Sequence, residues 1–95
     1  MIETRRHIPH PQVLLTDLKD GSGVLLHLET KFYYTLNSTG VFVWSTLVKG
    51  NATTGPQLAL RVCAAFEVDR EAAERDVAAL LASLLEEGLV TADDG

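Results

Sequence analysis

A single cysteine, Cys63, leaves the chain without an internal disulfide and makes a reduced, cytoplasmic protein the default expectation. Its longest uninterrupted apolar run, Val77 to Ala82, falls far short of the ~18 residues that a membrane span needs. The opening MIETRRHIPHPQ has no apolar signal-peptide segment. Positive charge is scarce, with 8 Lys and Arg against 13 Asp and Glu, for a net charge of −5. The deficit sits in one half: residues 51–95 carry three Lys/Arg against nine Asp/Glu, whereas residues 1–50 carry five against four. An acidic surface repels phosphate, which disfavours nucleic acid as a partner.

What is present is ordinary globular material, 46% apolar and 22% charged over 95 residues. That length holds one domain, 1–95 with an ordered core of about 11–91, and leaves no room for a catalytic domain beside a regulator. Three short strands are expected first. VLLTDL (13–18) runs into Lys19-Asp20-Gly21-Ser22-Gly23, whose Asp-Gly and second Gly suit a hairpin turn. GVLLHLE (23–29) follows, and Glu29-Thr30-Lys31 turns the chain into FYYTL (32–36). In this antiparallel meander, Leu26, Leu28, Tyr34 and Leu36 are expected to mark the face that carries the helices.

After Leu36 the hydrophobic period changes. Asn37 to Gly40 offer N-cap groups, and Val41, Val43, Trp44, Leu47 and Val48 recur at helical spacing. Thr53 or Thr54 caps a second helix with Pro56 in its first turn and Leu58, Val62 and Phe66 as its stripe. Asp69 caps a third, ending near Glu87 at Gly88, with Ala73, Val77, Leu80, Leu81, Leu84 and Leu85 on its core face. Beside that stripe lie the short polar Asp76 and Ser83, with Ala72 and Ala79 beyond, which leaves a shallow furrow. The tail from Thr91 is expected to fray.

Catalytic chemistry has few candidates. The chain has no glycine-rich phosphate loop, no Cys or His pairs at metal spacing and no Gly-x-Ser-x-Gly elbow. His7 and His10 read as part of a solvated arm, His27 as a surface or boundary residue, and Cys63 as a small structural residue without an activator. Asp69, Glu71, Glu74 and Asp76 complement the positive end of a helix macrodipole. No catalytic residue, metal ligand or cofactor is therefore expected. The third strand is different. Coming last in the meander, it has an open edge that carries only Lys31 and then aromatic residues, next to a furrowed helix. That is the geometry of β-strand addition by a peptide, with a homodimer partner or the chain's own tail as the competing occupant of the same edge.

The segment LLHLETKFYYTLNSTGVFVWSTLVKG, with FEVD and DVAALLASLLEEGLV after it, resembles the PqqD family, small proteins named for pyrroloquinoline quinone (PQQ) biosynthesis. The resemblance covers about residues 13–91 and is carried by Tyr34, Leu36, Asn37, Thr39, Gly40, Trp44, Gly50, Asp76, Val77, Gly88 and Leu89. Lys31 and His27 stand where many members have Gly and Asp. The resemblance implies an α+β, winged helix-turn-helix-like fold, with an N-terminal three-stranded antiparallel sheet followed by three helices. It further implies a non-catalytic chaperone that binds the leader segment of a ribosomally made precursor peptide and presents it to a modifying enzyme, often a radical S-adenosylmethionine (radical SAM) protein. Carried onto this chain, the peptide-binding residues are Lys31, Phe32, Tyr33, Tyr34, Thr35 and Leu36 on the strand, and Asp76, Ala79, Leu80 and Ser83 on the helix. Asn37, Thr39, Gly40 and Trp44 are expected to be structural. The alternative is a winged-helix DNA-binding regulator, which the acidic third helix opposes.

Overall fold

The computed structural model describes residues 4–93. Strands β1 (Arg6–Pro9), β2 (Val13–Asp17), β3 (Gly23–His27) and β4 (Tyr33–Leu36) precede helices α1 (Ser38–Lys49), α2 (Gly55–Phe66) and α3 (Arg70–Glu86), and β5 (Val90–Asp93) follows. The α+β architecture is the expected one: a three-stranded antiparallel sheet of order β2-β3-β4 with three helices behind it. A second, two-stranded sheet pairs β1 with β5.

Each helix starts where a short polar side chain can take a free backbone donor. Asn37 Oδ1 accepts from Gly40 N at 2.9 Å, and Asp69 Oδ1 from Ala72 N at 2.7 Å. Thr54 forms a reciprocal capping box with Gln57. Gly50 and Gly88 end α1 and α3 in the left-handed conformation, at φ 74° and 73°. At Gly23 the constraint is close approach, since a Cβ there would lie 2.8 Å from Leu15 Cδ1 and 3.0 Å from Val41 Cγ2. The sheet therefore rests directly on α1. The core joins Leu25 and Leu36 of the sheet to Val43, Trp44 and Leu47 of α1, Leu58 and Val62 of α2, and Val77, Leu81 and Leu84 of α3.

The register corrects the expected face of the sheet. Leu25 pairs with Tyr34 and Gly23 with Leu36, whereas Leu26 pairs with Tyr33. Directly opposed residues share a face. Leu25 and His27, rather than Leu26 and Leu28, therefore join Tyr34 and Leu36 toward the helices, and Leu25 is fully buried. Both sets of β3 residues are leucine-rich, so alternation within the strand could not choose; the length of the turn into β4 decides. His27 is accordingly no surface residue, being 5% exposed. Its Nδ1 accepts from Glu29 N at 3.2 Å and Thr30 N at 3.4 Å, which holds the turn that aims β4.

The amino-terminal segment differs from the expected solvated arm. Antiparallel pairing runs from Arg6 opposite Asp93 to Pro9 opposite Val90, closed by an Arg6 Nη2 to Asp93 Oδ2 ion pair at 2.7 Å. His7 is fully buried; its Nδ1 donates to Thr53 O at 3.1 Å, and its Nε2 has no hydrogen-bond partner. Thr91 to Asp93, expected to fray, form most of β5, while the last two residues of that tail lie outside the described residues. Val48, expected in the α1 stripe, is 61% exposed.

Candidate functional site

Among the described residues β4 hydrogen-bonds to β3 alone, so one of its edges has no described strand beside it. Which backbone groups line that edge follows from the ladder. His27 N donates to Phe32 O at 3.0 Å, which makes His27 and Phe32 a hydrogen-bonded position. Antiparallel ladders alternate, so Tyr34 and Leu36 also turn their N–H and C=O groups toward β3, and Tyr33 and Thr35 turn theirs outward. Two consecutive outward residues are what an added strand pairs with.

The side chains alternate in the opposite sense. Tyr33 is 66% exposed and stands with Thr35 on the outer face, while Tyr34 and Leu36 point toward the helices. Leu36 is buried in the core, so at the edge it offers position rather than a contact surface. Lys31 is exposed on the turn before β4 and holds φ 64°, a left-handed conformation that suits glycine better than lysine. Phe32, 40% exposed, sits between that turn and the strand.

The second wall is α3. Ala73, Val77, Leu81 and Leu84 take its core face. Asp76, Leu80 and Ser83 each stand one position earlier, about 100° around the helix, and form the flank beside β4. Two depressions lie along this boundary. The upper one, about 220 Å³, is lined by Asn37, Thr39, Gly40, Asp76, Ala79 and Leu80. The lower one, about 230 Å³, is lined by Phe32, Tyr34, Ser83, Glu86 and Glu87. Of the four helix positions named from sequence, Ser83 thus shares a depression with Phe32 and Tyr34, while Asp76, Ala79 and Leu80 line the other, and Tyr33 and Thr35 supply the outward backbone edge of β4.

Five lining residues were absent from the expected set. Asn37, Thr39 and Gly40, expected to be structural, also form the end wall of the upper depression. Gly40 in particular admits Leu36, whose Cδ2 would lie 2.9 Å from an added Cβ. Glu86 and Glu87 were missed although a signal existed: Ala79 and Leu80 repeat seven residues later at Glu86 and Glu87, on the same flank. Among the described residues no group of three or more His, Cys, Asp or Glu could hold a metal ion, and no helix is long and apolar enough to cross a membrane.

Comparison with known proteins identifies the fold and the family. Two solved structures share the fold. One, "TbiB1 in Complex with the TbiA(beta) Leader Peptide", is 31% identical with a TM-score of 0.74, covering 87% of this chain and 93% of that one. The other, "Lasso peptide synthetase B1 complexed with the leader peptide", is 30% identical with a TM-score of 0.74, covering 90% and 98%. No curated protein is a significant match in sequence. The family model described as "Coenzyme PQQ synthesis protein D (PqqD)" matches residues 22–90, and the chain belongs to the PqqD family.

Proposed function

We propose that this chain is a peptide-binding adaptor, without catalysis of its own, that takes the leader segment of a ribosomally synthesised precursor peptide as an additional strand beside β4 and against α3. The observation that carries this is the pair of outward backbone positions, Tyr33 and Thr35, above a groove walled by Asp76, Ala79, Leu80 and Ser83. Main-chain hydrogen bonds at such an edge supply affinity that is indifferent to sequence, and the depressions add side-chain preference. The two related structures that hold leader peptides support the same reading.

The adaptor presents its peptide to a modifying enzyme, a radical SAM protein or another peptide maturase, in the cytoplasm. A homodimer through β4 is the competing use of the same edge, and sedimentation with and without peptide separates the two. The DNA-binding alternative finds no basic helix: α3 carries Arg70 and Arg75 against Glu71, Glu74, Asp76 and Glu86, and Arg70 is already paired with Glu74 at 3.2 Å. The decisive experiment is a titration of isotope-labelled protein with the precursor peptide encoded beside its gene. The Tyr33 and Thr35 amides and the α3 flank from Asp76 to Glu87 should shift. Shifts confined to β2 and α1 would reject the placement, and a salt-sensitive DNA mobility shift would revive the regulator.

A further inference from the structure

Resting on the strand-addition reading, we propose that the two depressions are subsites of different chemistry, and that the lower one, formed by Phe32, Tyr34, Ser83, Glu86 and Glu87, selects a Lys or Arg side chain of the bound peptide. The argument begins with a local conflict in α3. Glu86 is the last residue of the helix and Glu87 its C-cap, and no basic residue stands in the last turn. The C-terminal end of a helix carries the negative pole of the macrodipole, so carboxylates there oppose it. Among the described residues neither glutamate forms an ion pair that would relieve the conflict. Two unpaired carboxylates and a helix C-terminus converge on one depression, and the potential there favours a cation.

The rest of the lining suits the same guest. Phe32 and Tyr34 offer aromatic surface, which packs the methylene stem of a long basic side chain and attracts its charged head. A volume of about 230 Å³ accommodates one such side chain. The opposing charge nearby in sequence is Lys31, exposed on the turn before Phe32 and without an ion pair among the described residues. It disfavours a second cation at the rim and so limits the subsite to one. The upper depression is different: Gly40, Ala79 and Leu80 are small or apolar, Asn37 Oδ1 is committed to Gly40 N, and Asp76 is the only charge. That site fits a compact apolar residue.

The spacing between the two side chains follows from the geometry. The lower depression takes Phe32 and Tyr34 from the strand and the upper begins at Asn37, so the step along the chain is roughly four residues, or about 13 Å when extended. Along α3 the corresponding step is seven residues, or about 10 Å. Side chains on one face of an added strand are an even number of residues apart, so i and i+4 is the even spacing closest to both measures.

The test needs no knowledge of the natural peptide. A display library of random peptides of about twelve residues, long enough to span both depressions at ~3.4 Å per residue, is selected on the full chain. Enrichment of Lys or Arg at one position, with a small or aliphatic residue four away, is the expected result. The double variant Glu86→Gln, Glu87→Gln should bind the selected peptides about fivefold more weakly at low salt, with the difference shrinking as salt rises. The same variant should melt at a higher temperature than the parent when free, because the macrodipole conflict is gone; a merely structural role for the glutamates predicts the opposite sign. Glu86→Lys with Glu87→Lys should turn the selection toward Asp or Glu. If peptides are selected without any basic preference, or if Asp76→Asn removes the preference and the double Gln variant does not, the cation subsite is wrong while strand addition stands. If the selected peptides bind Thr35→Pro as well as the parent, strand addition itself fails.

Discussion

β2 and β4 are both edge strands of the same sheet, each running beside a helix and bordering a depression, yet they offer opposite terms to a partner. On the β2 side the ladder leaves Val13 and Leu15 facing outward, since Leu28 N donates to Gln12 O and the pattern alternates from there. The Val13 N–H is already used, donating to His10 O at 3.1 Å. Pro9, His10 and Pro11 fold against this edge and line a depression with Val13, Trp44 and Val48. Proline beside an edge is a common way to prevent strand pairing. On the β4 side nothing comparable stands among the described residues: Tyr33 and Thr35 keep their outward groups, and the lower of the two adjoining depressions is acidic. The fold thus blunts one edge and leaves the other available, which favours β4 as the proposed peptide edge although a second depression beside β2, lined by Val13, Leu14, Leu15, Trp44, Ser45, Val48 and Lys49, is larger at about 320 Å³.

The comparison can be broken most directly through the backbone. Thr35→Pro removes an outward N–H without touching the ladder to β3, and peptide affinity should fall about tenfold or more, one hydrogen bond plus the lost approach of the strand. Circular dichroism should stay unchanged. Leu14→Lys with Val48→Lys alters the exposed rim of the β2 depression and should leave affinity within about twofold, as surface changes away from a contact usually do. Equal losses from both variants, read by calorimetry with one peptide, would erase the distinction between the edges.

A smaller effect comes from filling the groove. Ala79 is exposed on α3 and lines the upper depression, so Ala79→Phe should occupy much of its volume. Affinity should drop about fivefold, with stability within about 0.5 kcal/mol of the parent in a urea melt. Tighter binding would mean that the peptide passes elsewhere. Asn37→Ala separates two roles of one residue that sits where β4 becomes α1. Loss of the cap should cost about 1 kcal/mol of stability, while the folded fraction binds peptide nearly as before. A large affinity loss with no change in stability would make Asn37 a ligand contact instead.

How far the sequence revealed this molecule depended on the range of the interaction concerned. Caps, glycine stops and the α3 stripe are local: Asp69 and Gly88 were legible outright, and the caps Asn37 and Thr54 to within a few residues. The β4 edge was legible too, because its lack of proline and its single charge, Lys31, are written in six residues. The β1–β5 ribbon was not: Arg6 and Asp93 are 87 positions apart, and neither RHIP nor VTAD shows an alternation that announces a strand. The face of β3 was invisible for another reason, since register depends on the length of a turn that His27 stabilises by accepting from Glu29 and Thr30. Within the groove the polar-small flank of α3 was seen as far as Ser83, and its acidic end was overlooked because Glu86 and Glu87 read as ordinary exposed charge at a helix end.

The smallest expected effect concerns the turn that joins β2 to β3. Asp20 hydrogen-bonds through its carboxylate to the Ser22 hydroxyl and to Ser22 N, and these bonds, the hydroxyl first, hold its pKa below the ordinary value of 3.8. The charged form is the one the folded turn prefers, so the contribution to stability is complete above that ordinary value and is lost as pH falls through the lower folded one. Asp20 is fully exposed, and the effect should stay confined to the turn. In a carboxyl titration followed by nuclear magnetic resonance, Asp20 should titrate with a midpoint below 3.8, and Ser22→Ala should move that midpoint upward. The Ser22 amide should follow the transition while the Tyr33 and Thr35 amides do not, because acid loosens the hairpin at the blunted side of the sheet and leaves the β4 edge in register. Concerted movement of both sets at the same pH would show that the two edges are mechanically coupled, and the contrast between them would then belong to the static structure alone.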